Sequence, residues 1–220
     1  MNPRWKAVMA VTAAVAGIAW GLVLVLISQA TTASAATWDG VLAIVPRGYV
    51  DRNFVGRPDA PVQIVIYGSF ECGFCNRLHQ EVELPLMERY VTTGRVRLES
   101  RQLGTSATSV RATGAALCAA DQGRYWEYRD RLYAAYRKGG QSALADESLK
   151  QIATQLGLDQ ARFEECLNVG TPADEIRLTM LKAKDDGIQG LPTMFINDRK
   201  VEGLRPLDDV TKVVEEELTK

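Results

Sequence analysis

The stretch that decides the fold of this chain runs from Val62 to Cys75 and reads VQIVIYGSFECGFC. Its first six residues are mostly apolar and β-branched, which predicts a largely buried strand over residues 62–67. After a short turn, the residues from Cys72 to about Val91 follow helical spacing. The sequence therefore predicts a strand that turns into a helix, with Cys72 at the start of that helix.

The two cysteines of this stretch are placed for redox chemistry. Unpaired backbone N–H groups and the helix dipole favour negative charge at a helix N-terminus, so Cys72 should form a thiolate more easily there than in water. The thiolate is the reactive form of a cysteine. Cys75 lies one helical turn further on, close enough to form a disulfide with Cys72. We interpret the pair as a reversible two-electron switch.

The N-terminal segment has a different composition. Residues 7–27 contain no charged residue, Arg4 and Lys6 precede them, and no Lys or Arg follows until Arg47. An apolar run of about 20 residues is long enough to span a bilayer. The position of the basic residues predicts that the N-terminus is cytoplasmic and that the rest of the chain is exported.

We therefore predict three parts. Residues 1–27 are a signal-anchor or transmembrane segment, residues 28–46 a linker, and residues 47–220 the catalytic domain of a single-pass protein of the cell membrane. The alternative is a cleaved signal peptide and a secreted protein, because Ala33-Ser34-Ala35-Ala36 resembles a signal-peptidase site. Both interpretations place the domain outside the cytoplasm, where disulfides persist.

All four cysteines lie in the part predicted to be exported. An even number fits two disulfides, with three possible pairings. Close spacing at a helix start favours Cys72–Cys75, which leaves Cys118–Cys166. Zinc bound by all four cysteines is the competing hypothesis, but structural zinc usually draws its ligands from closely spaced pairs, and Cys118 and Cys166 are far apart. We predict no metal site.

The remaining pattern indicates a mixed α/β protein. Residues 95–100 and 191–197 read as strands, the second followed by a hairpin turn into Val201, and residues 206–218 as an amphipathic helix. Helical spacing dominates between them. This order describes a small mixed sheet flanked by helices and interrupted by an all-helical insertion over residues 104–187 or thereabouts.

Four segments resemble the DsbA-like branch of the thioredoxin superfamily, in the form found in exported proteins of Gram-positive and related bacteria. They are PDAPV at 58–62, GSFECGFC at 68–75, AALCAA at 115–120 and GLPTMFIN at 190–197. The resemblance extends over about residues 55–218 and implies a thioredoxin fold with the helical insertion.

The resemblance also implies a set of site residues. Cys72, Cys75 and Pro192 are the expected catalytic residues, with Pro192 in a cis peptide bond against the redox pair. Cys118 and Cys166 match the positions of a structural disulfide within the insertion. We expect Phe74, Leu191 and Thr193 to bind substrate beside the redox pair.

The implied function is that of an extracytoplasmic thiol–disulfide oxidoreductase. It oxidises cysteine pairs in unfolded exported proteins through the Cys72–Cys75 disulfide, is membrane-anchored, and is reoxidised by a quinone-linked membrane partner. No cofactor is implied, and a formal net charge of −1 gives no indication of nucleic-acid binding. A disulfide reductase or isomerase of the same fold, a non-catalytic redox sensor and a zinc-binding module remain as alternatives.

Two positions depart from the family pattern. The strongest oxidants have a histidine between the cysteines, whereas Gly73 and Phe74 supply no charge, so we expect a milder oxidant. Many members also bury a carboxylate six residues before the first cysteine, where this chain has Ile66. Glu71 is adjacent to Cys72, but its side chain can point to solvent.

Two further side chains near the site have competing interpretations. His79, the only histidine, lies one turn beyond Cys75 on the same helix face. It either influences the thiols or is a solvated helix residue, and we favour the second interpretation because histidine is often partly exposed. Phe70 either forms an apolar rim for substrate with Phe74 and Leu191 or belongs to the ordinary core.

Overall fold

The computed structural model describes residues 37–169 and 171–220 of the chain. The predicted membrane anchor at residues 1–27 and the predicted linker up to residue 36 lie outside the described residues. Within the part that is described, no helix has both the length and the apolar composition needed to cross a bilayer.

In the described part of the chain, six strands form one mixed sheet in the order β1-β2-β4-β3-β5-β6. They are β1 (Val50–Asp51), β2 (Phe54–Val55), β3 (Val62–Gly68), β4 (Val96–Gln102), β5 (Thr193–Ile196) and β6 (Arg199–Glu202). Strand β3 runs parallel to β4 and antiparallel to β5. The apolar strand predicted at 62–67 therefore lies inside the sheet, where its alternating side chains are buried.

Helices cover the sheet and form the insertion. They are α1 (Trp38–Ile44), α2 (Gly73–Leu78), α3 (Ala107–Ala120), α4 (Tyr125–Gly139), α5 (Asp146–Gln155), α6 (Gln160–Val169), α7 (Thr171–Asp185) and α8 (Leu207–Leu218). Helix α8 packs against β3 and β5, and α7 packs against β4. The predicted all-helical insertion is confirmed, since α3 to α7 separate β4 from β5.

The helix that begins at the redox pair is irregular. After α2 it continues through a π-helical segment, His79–Glu83, a short α-helical piece, Leu84–Leu86, and a second π-helical segment, Met87–Val91. We call residues 73–91 together the active-site helix. Pro85 lies between the two π-helical segments. Proline has no N–H to donate, and such wider turns are a common way to accommodate this loss.

Helix α3 is the centre of the insertion and packs against α4, α5, α6 and α7. Most of its buried side chains are small, and Ala112, Ala115, Ala116 and Ala119 are fully buried. Small side chains let neighbouring helix axes approach closely. The run of alanines therefore explains how four helices can pack around one.

The structure joins Cys118 to Cys166 in a disulfide with a Cα–Cα distance of 5.8 Å. Cys118 lies in α3 and is buried, whereas Cys166 lies in α6 and is partly exposed. The bridge thus ties an outer helix of the insertion to its central helix.

Part of the predicted linker is folded, so the predicted domain boundary at residue 47 is too late. Helix α1 lies within the predicted linker and packs against α4, with Trp38 and Val41 buried. Thr37 caps the helix, and its Oγ1 accepts a hydrogen bond from the N–H of Gly40 at 3.1 Å. The helix that it packs against lies far along the chain, so no local pattern indicates this contact.

A buried charged cluster joins the active-site helix to α4. Nη2 of Arg129 lies 2.8 Å from Oε2 of Glu83, and both side chains are almost completely inaccessible to solvent. Burial by itself would raise the pKa of Glu83, but the positive charge of Arg129 and the hydrogen bonds to the carboxylate together outweigh this effect and lower the pKa below its ordinary value. The carboxylate is therefore ionised and paired at neutral pH.

His79 belongs to this cluster, so the interpretation of a solvated histidine is wrong. Its ring is fully buried and stacks on Trp38 with a centroid distance of 4.2 Å. Nδ1 lies 2.9 Å from Nη1 of Arg129, which can only donate, so Nδ1 accepts. The ring proton is then on Nε2, 3.1 Å from Oδ1 of Asp130. No local pattern indicates this environment, because Trp38, Arg129 and Asp130 come from other elements.

Removal of the Cys118–Cys166 disulfide should lower stability but not abolish thiol exchange. For a bridge spanning 48 residues, the loop-entropy model gives a loss of about 4 kcal/mol of unfolding free energy in the double variant Cys118→Ala/Cys166→Ala. Denaturant unfolding measures the loss. A folded double variant without exchange activity would contradict a purely structural role.

Glu83→Gln should strongly destabilise the protein, because it leaves Arg129 buried without its counter-charge, at a cost of about 3–5 kcal/mol at neutral pH. Since the folded-state pKa of Glu83 is lowered, the pair stabilises the protein above the unfolded-state pKa of about 4.3 and loses this effect as the pH falls through the folded-state value. Unfolding measured across a pH series should show the two proteins converging in acid.

A matched control for this variant is Glu81→Gln. Glu81 pairs with Arg77 at 2.8 Å on the exposed side of the same helix, and exposed pairs contribute little to stability. We expect the control to unfold like the parent protein at every pH. An equal loss in both variants would show that burial of the Glu83–Arg129 pair is not the cause.

Candidate active site

Cys72 is the N-cap residue of α2. Its backbone is extended, with φ −91° and ψ 114°, and its Sγ accepts a hydrogen bond from the N–H of Cys75 at 3.1 Å. The structure joins Cys72 to Cys75 in a disulfide with a Cα–Cα distance of 5.1 Å. A helix N-terminus therefore points an otherwise unpaired amide at the sulfur of Cys72, as the position of the pair in the sequence predicts.

The two sulfurs differ in access to solvent. Cys72 is partly exposed, whereas only 1% of Cys75 is accessible. The residues between them, Gly73 and Phe74, are both exposed, and Phe74 places an apolar ring beside the pair with 61% of its surface accessible. An external thiolate can therefore reach Cys72 but not Cys75.

Pro192 lies beside the redox pair. The Leu191–Pro192 peptide bond is cis, as expected, and the carbonyl oxygen of Leu191 lies 3.8 Å from Sγ of Cys72. The carbonyl of Pro192 already accepts a hydrogen bond from the N–H of Gly203 at 2.8 Å. The backbone of Leu191 is thus the part of this loop that faces the reactive sulfur. The catalytic role of Pro192 stays a prediction.

Of the three residues expected to bind substrate, Thr193 is not positioned to contact a substrate through its side chain. It is buried, and its Oγ1 donates to the carbonyl of Gly190 at 2.7 Å, so the hydroxyl is already used within the loop. Phe74 is exposed and Leu191 is half-buried, and their contact with substrate stays a prediction. Phe70 is fully buried against Tyr133 and belongs to the core.

Tyr67 and its hydrogen-bond partners hold the start of the loop that carries Pro192, and no motif in the sequence indicated this role. The hydroxyl of Tyr67 donates to Oδ2 of Asp186 at 2.5 Å and accepts from Nη1 of Arg101 at 2.6 Å. Burial and the hydrogen bond to Asp186 raise the pKa of Tyr67 to about 12, so the hydroxyl keeps its proton. Asp186 directly follows α7, where the loop to Pro192 begins.

Beneath the pair, a buried amide links the active-site helix to the insertion. Nδ2 of Asn76 donates to the carbonyl of Tyr133 at 2.8 Å, and Oδ1 accepts from Nη1 of Arg137 at 2.7 Å. Ile66 is buried, so the position where many relatives bury an acid is apolar here. Asn76 directly follows Cys75, which was the only signal in the sequence that it belongs to the site.

Glu71 does not point freely into solvent. Its side chain is half-buried, Oε1 accepts from Nε2 of Gln141 at 2.5 Å, and Oε2 accepts from the hydroxyl of Ser106. Both donors belong to the helical insertion. The acid next to Cys72 is therefore held in a fixed position.

The disulfides argue against the zinc hypothesis. Because the four cysteines are paired in two disulfides, they offer no thiolate ligands. Among the described residues, no group of three or more His, Cys, Asp or Glu side chains is arranged to hold a metal ion.

The fold and the site define a class of protein. A half-exposed disulfide at a helix N-terminus, beside a cis-proline loop of a mixed sheet, is the arrangement of a thiol–disulfide oxidoreductase with a thioredoxin fold. The sequence profile of the family described as thioredoxin matches residues 50–216. The chain therefore belongs to the thioredoxin family.

Within that family, the chain is similar to proteins named for disulfide bond formation. It is 25% identical over 177 residues to the "Probable disulfide bond formation protein D" of Bacillus anthracis, an alignment covering 78% of this chain and 81% of the relative. The oxidised form of BdbD from Bacillus subtilis has the same fold, with a TM-score of 0.71 and 20% identity over 77% of this chain and 94% of that structure.

Another relative shares only this domain. The Salinispora tropica protein named Na(+)/H(+) antiporter NhaA 3 is 32% identical over 169 residues, which is 75% of this chain but 24% of that protein. The chain thus spans about a quarter of the antiporter, and nothing about ion transport follows from the match.

The difference in exposure between the two sulfurs predicts the order of alkylation. After reduction, a short treatment with a thiol-alkylating reagent should modify Cys72 and leave Cys75 free, because the latter is buried. Peptide mass spectrometry identifies the modified residue. Modification of Cys75 first, in a protein that is still folded, would show that the assignment of the outer sulfur is wrong.

Proposed function

We propose that this protein oxidises cysteine pairs in exported proteins by donating its Cys72–Cys75 disulfide. The observation that carries the proposal is the contact of 3.1 Å between Sγ of Cys72 and the N–H of Cys75 at the helix N-terminus. This donor stabilises a thiolate on Cys72, and stabilisation of the reduced form makes a disulfide a better oxidant.

The exchange follows from the exposure of the two sulfurs. A substrate thiolate attacks Sγ of Cys72, the Cys72–Cys75 bond breaks, and Cys75 leaves with the electron pair. The second substrate thiolate then attacks the substrate sulfur of the mixed disulfide, and Cys72 leaves as a thiolate. Two electrons have passed from the substrate to this protein, and the substrate has gained one disulfide.

The surroundings of the site support an unfolded protein as substrate. Phe74 and Leu191 present apolar surface beside Cys72, and the backbone of Leu191 faces the reacting sulfur. An extended chain can pair with such a backbone as an added strand does. The apolar residues of a substrate that would contact this surface are accessible in an unfolded chain and buried in a folded one.

The location and the redox partner belong to the same proposal. Residues 1–27 would anchor the protein in the cell membrane with the domain outside the cytoplasm, and a quinone-linked membrane protein would restore the disulfide. The charge-free run at residues 7–27, preceded by Arg4 and Lys6, supports the anchor. Two disulfides in one domain support an oxidising compartment.

The decisive experiment measures redox direction. The equilibrium constant of the Cys72–Cys75 couple against glutathione should give a potential well above the −270 mV or so of thioredoxin, and the oxidised protein should restore disulfides to a reduced, unfolded substrate. Cys72→Ser should abolish this activity. A potential near that of thioredoxin, with no oxidation of substrate, would instead support a reductase. Rearrangement of scrambled disulfides without net oxidation would support an isomerase.

A further inference from the structure

We propose that Glu71 sets the reduction potential of the Cys72–Cys75 couple, because its fixed and unneutralised negative charge disfavours a thiolate on Cys72. The inference deepens the proposed function and rests on it for the identity of the exchanging pair. Glu71 does not touch the reacting atoms. It acts through Cys72 and makes the protein a milder oxidant than its helix N-terminus alone would.

The position of the charge is fixed by the insertion. Oε1 of Glu71 accepts from Gln141, and Oε2 accepts from the hydroxyl of Ser106, the N-cap residue of α3. The Ser106 oxygen in turn accepts from the N–H of Ser109 at 3.1 Å, which orients it. Both oxygens of the Glu71 side chain are therefore held in place by neutral donors.

The negative charge of Glu71 is fixed in position but is not neutralised by a positively charged partner. Both donors to Glu71 are neutral, and no Lys, Arg or His in the described ranges forms an ion pair with it. Glu81 on the active-site helix differs, because the guanidinium of Arg77 binds its two oxygens at 2.8 and 3.0 Å. Of these two acids near the start of the helix, only Glu71 presents an uncompensated charge, and it is the one bonded directly to Cys72.

Two positive contributions oppose Glu71. The first is the helix N-terminus itself, through the N–H of Cys75. The second is Arg137 of α4, whose guanidinium binds Oδ1 of Asn76 at 2.7 Å. The loop from residue 187 to Pro192, which closes the other side of Cys72, contains no charged residue. The stability of the Cys72 thiolate is therefore a balance between these two groups and Glu71.

The balance determines a measurable equilibrium. When the oxidised protein reacts with two molecules of glutathione, the Cys72–Cys75 bond breaks, glutathione disulfide forms, and the products are a Cys72 thiolate, a Cys75 thiol and one released proton. A negative charge near Cys72 raises the free energy of the thiolate but not of the disulfide. Glu71 must therefore shift this equilibrium toward the oxidised protein.

The test is Glu71→Gln in the full chain, which keeps the shape of the side chain and removes its charge. In the reduced variant, the measured pKa of Cys72 should fall by about half a unit to one unit, the size of one nearby surface charge. The equilibrium constant with glutathione should shift about three- to tenfold toward the reduced protein, where tenfold corresponds to about 30 mV. Unchanged values in a folded variant would overturn the proposal.

Three matched variants separate charge from packing. Glu71→Asp keeps the charge and should stay close to the parent protein, and Glu81→Gln removes a neutralised charge and should cause no shift. Arg137→Gln should move the equilibrium in the opposite direction. If Glu71→Asp shifts as far as Glu71→Gln, or Arg137→Gln shifts the same way, the effect is not electrostatic and the proposal fails.

A gentler variant covers the case in which Glu71→Gln does not fold. Gln141 is exposed, and Gln141→Ala should loosen the carboxylate and produce a smaller shift in the same direction. The absence of any shift in this variant would then overturn the proposal. The proposed function fails separately: a parent protein that oxidises no substrate would refute the oxidase, while a shifted glutathione equilibrium in Glu71→Gln would still support the role of Glu71.

Discussion

The buried ion pair between Glu83 and Arg129 is the interaction on which the arrangement of the molecule depends. Glu83 belongs to the active-site helix and Arg129 to the insertion, and both side chains are removed from water. A buried charge is costly unless an opposite charge lies against it, so the ion pair allows one relative position of the active-site helix and the insertion. His79 and Trp38 stack within the same cluster, which holds α1 in place as well.

This fixed position gives the insertion a role at the redox pair. The insertion supplies the partners of two residues that flank the cysteines: Tyr133 binds Asn76, and Ser106 binds Glu71. Hydrogen bonds of this kind need donors and acceptors placed to within a few tenths of an ångström. A loosely attached helical domain could not provide them. Its rigid attachment therefore lets residues far along the chain act on the chemistry of Cys72.

The features that the sequence predicts are local ones. The apolar strand, the cysteines at the helix start and the position of Pro192 depend on neighbouring residues or on a family motif, and the structure confirms their placement. The features that were missed depend on distant partners. The sequence predicts His79 at the surface, but in the structure Trp38 stacks on its ring. Thr193 is predicted to be accessible to substrate, but its hydroxyl donates to the carbonyl of Gly190. No periodicity in the sequence encodes such contacts.

The same reasoning explains why only one of the two disulfides should exchange. Each joins a buried sulfur to a more exposed one, so exposure alone does not separate them. Their positions on helices do. Cys72 caps a helix N-terminus, where an amide stabilises its thiolate, whereas Cys118 and Cys166 lie near the C-terminal ends of α3 and α6, where the helix dipole is negative. Cys166 also lies 3.9 Å from a carboxylate oxygen of Asp121. The thiolate of Cys72 is therefore a good leaving group when a mixed disulfide is resolved, whereas a thiolate on Cys118 or Cys166 is disfavoured. We therefore expect electrostatics, rather than access, to separate an exchanging disulfide from a structural one.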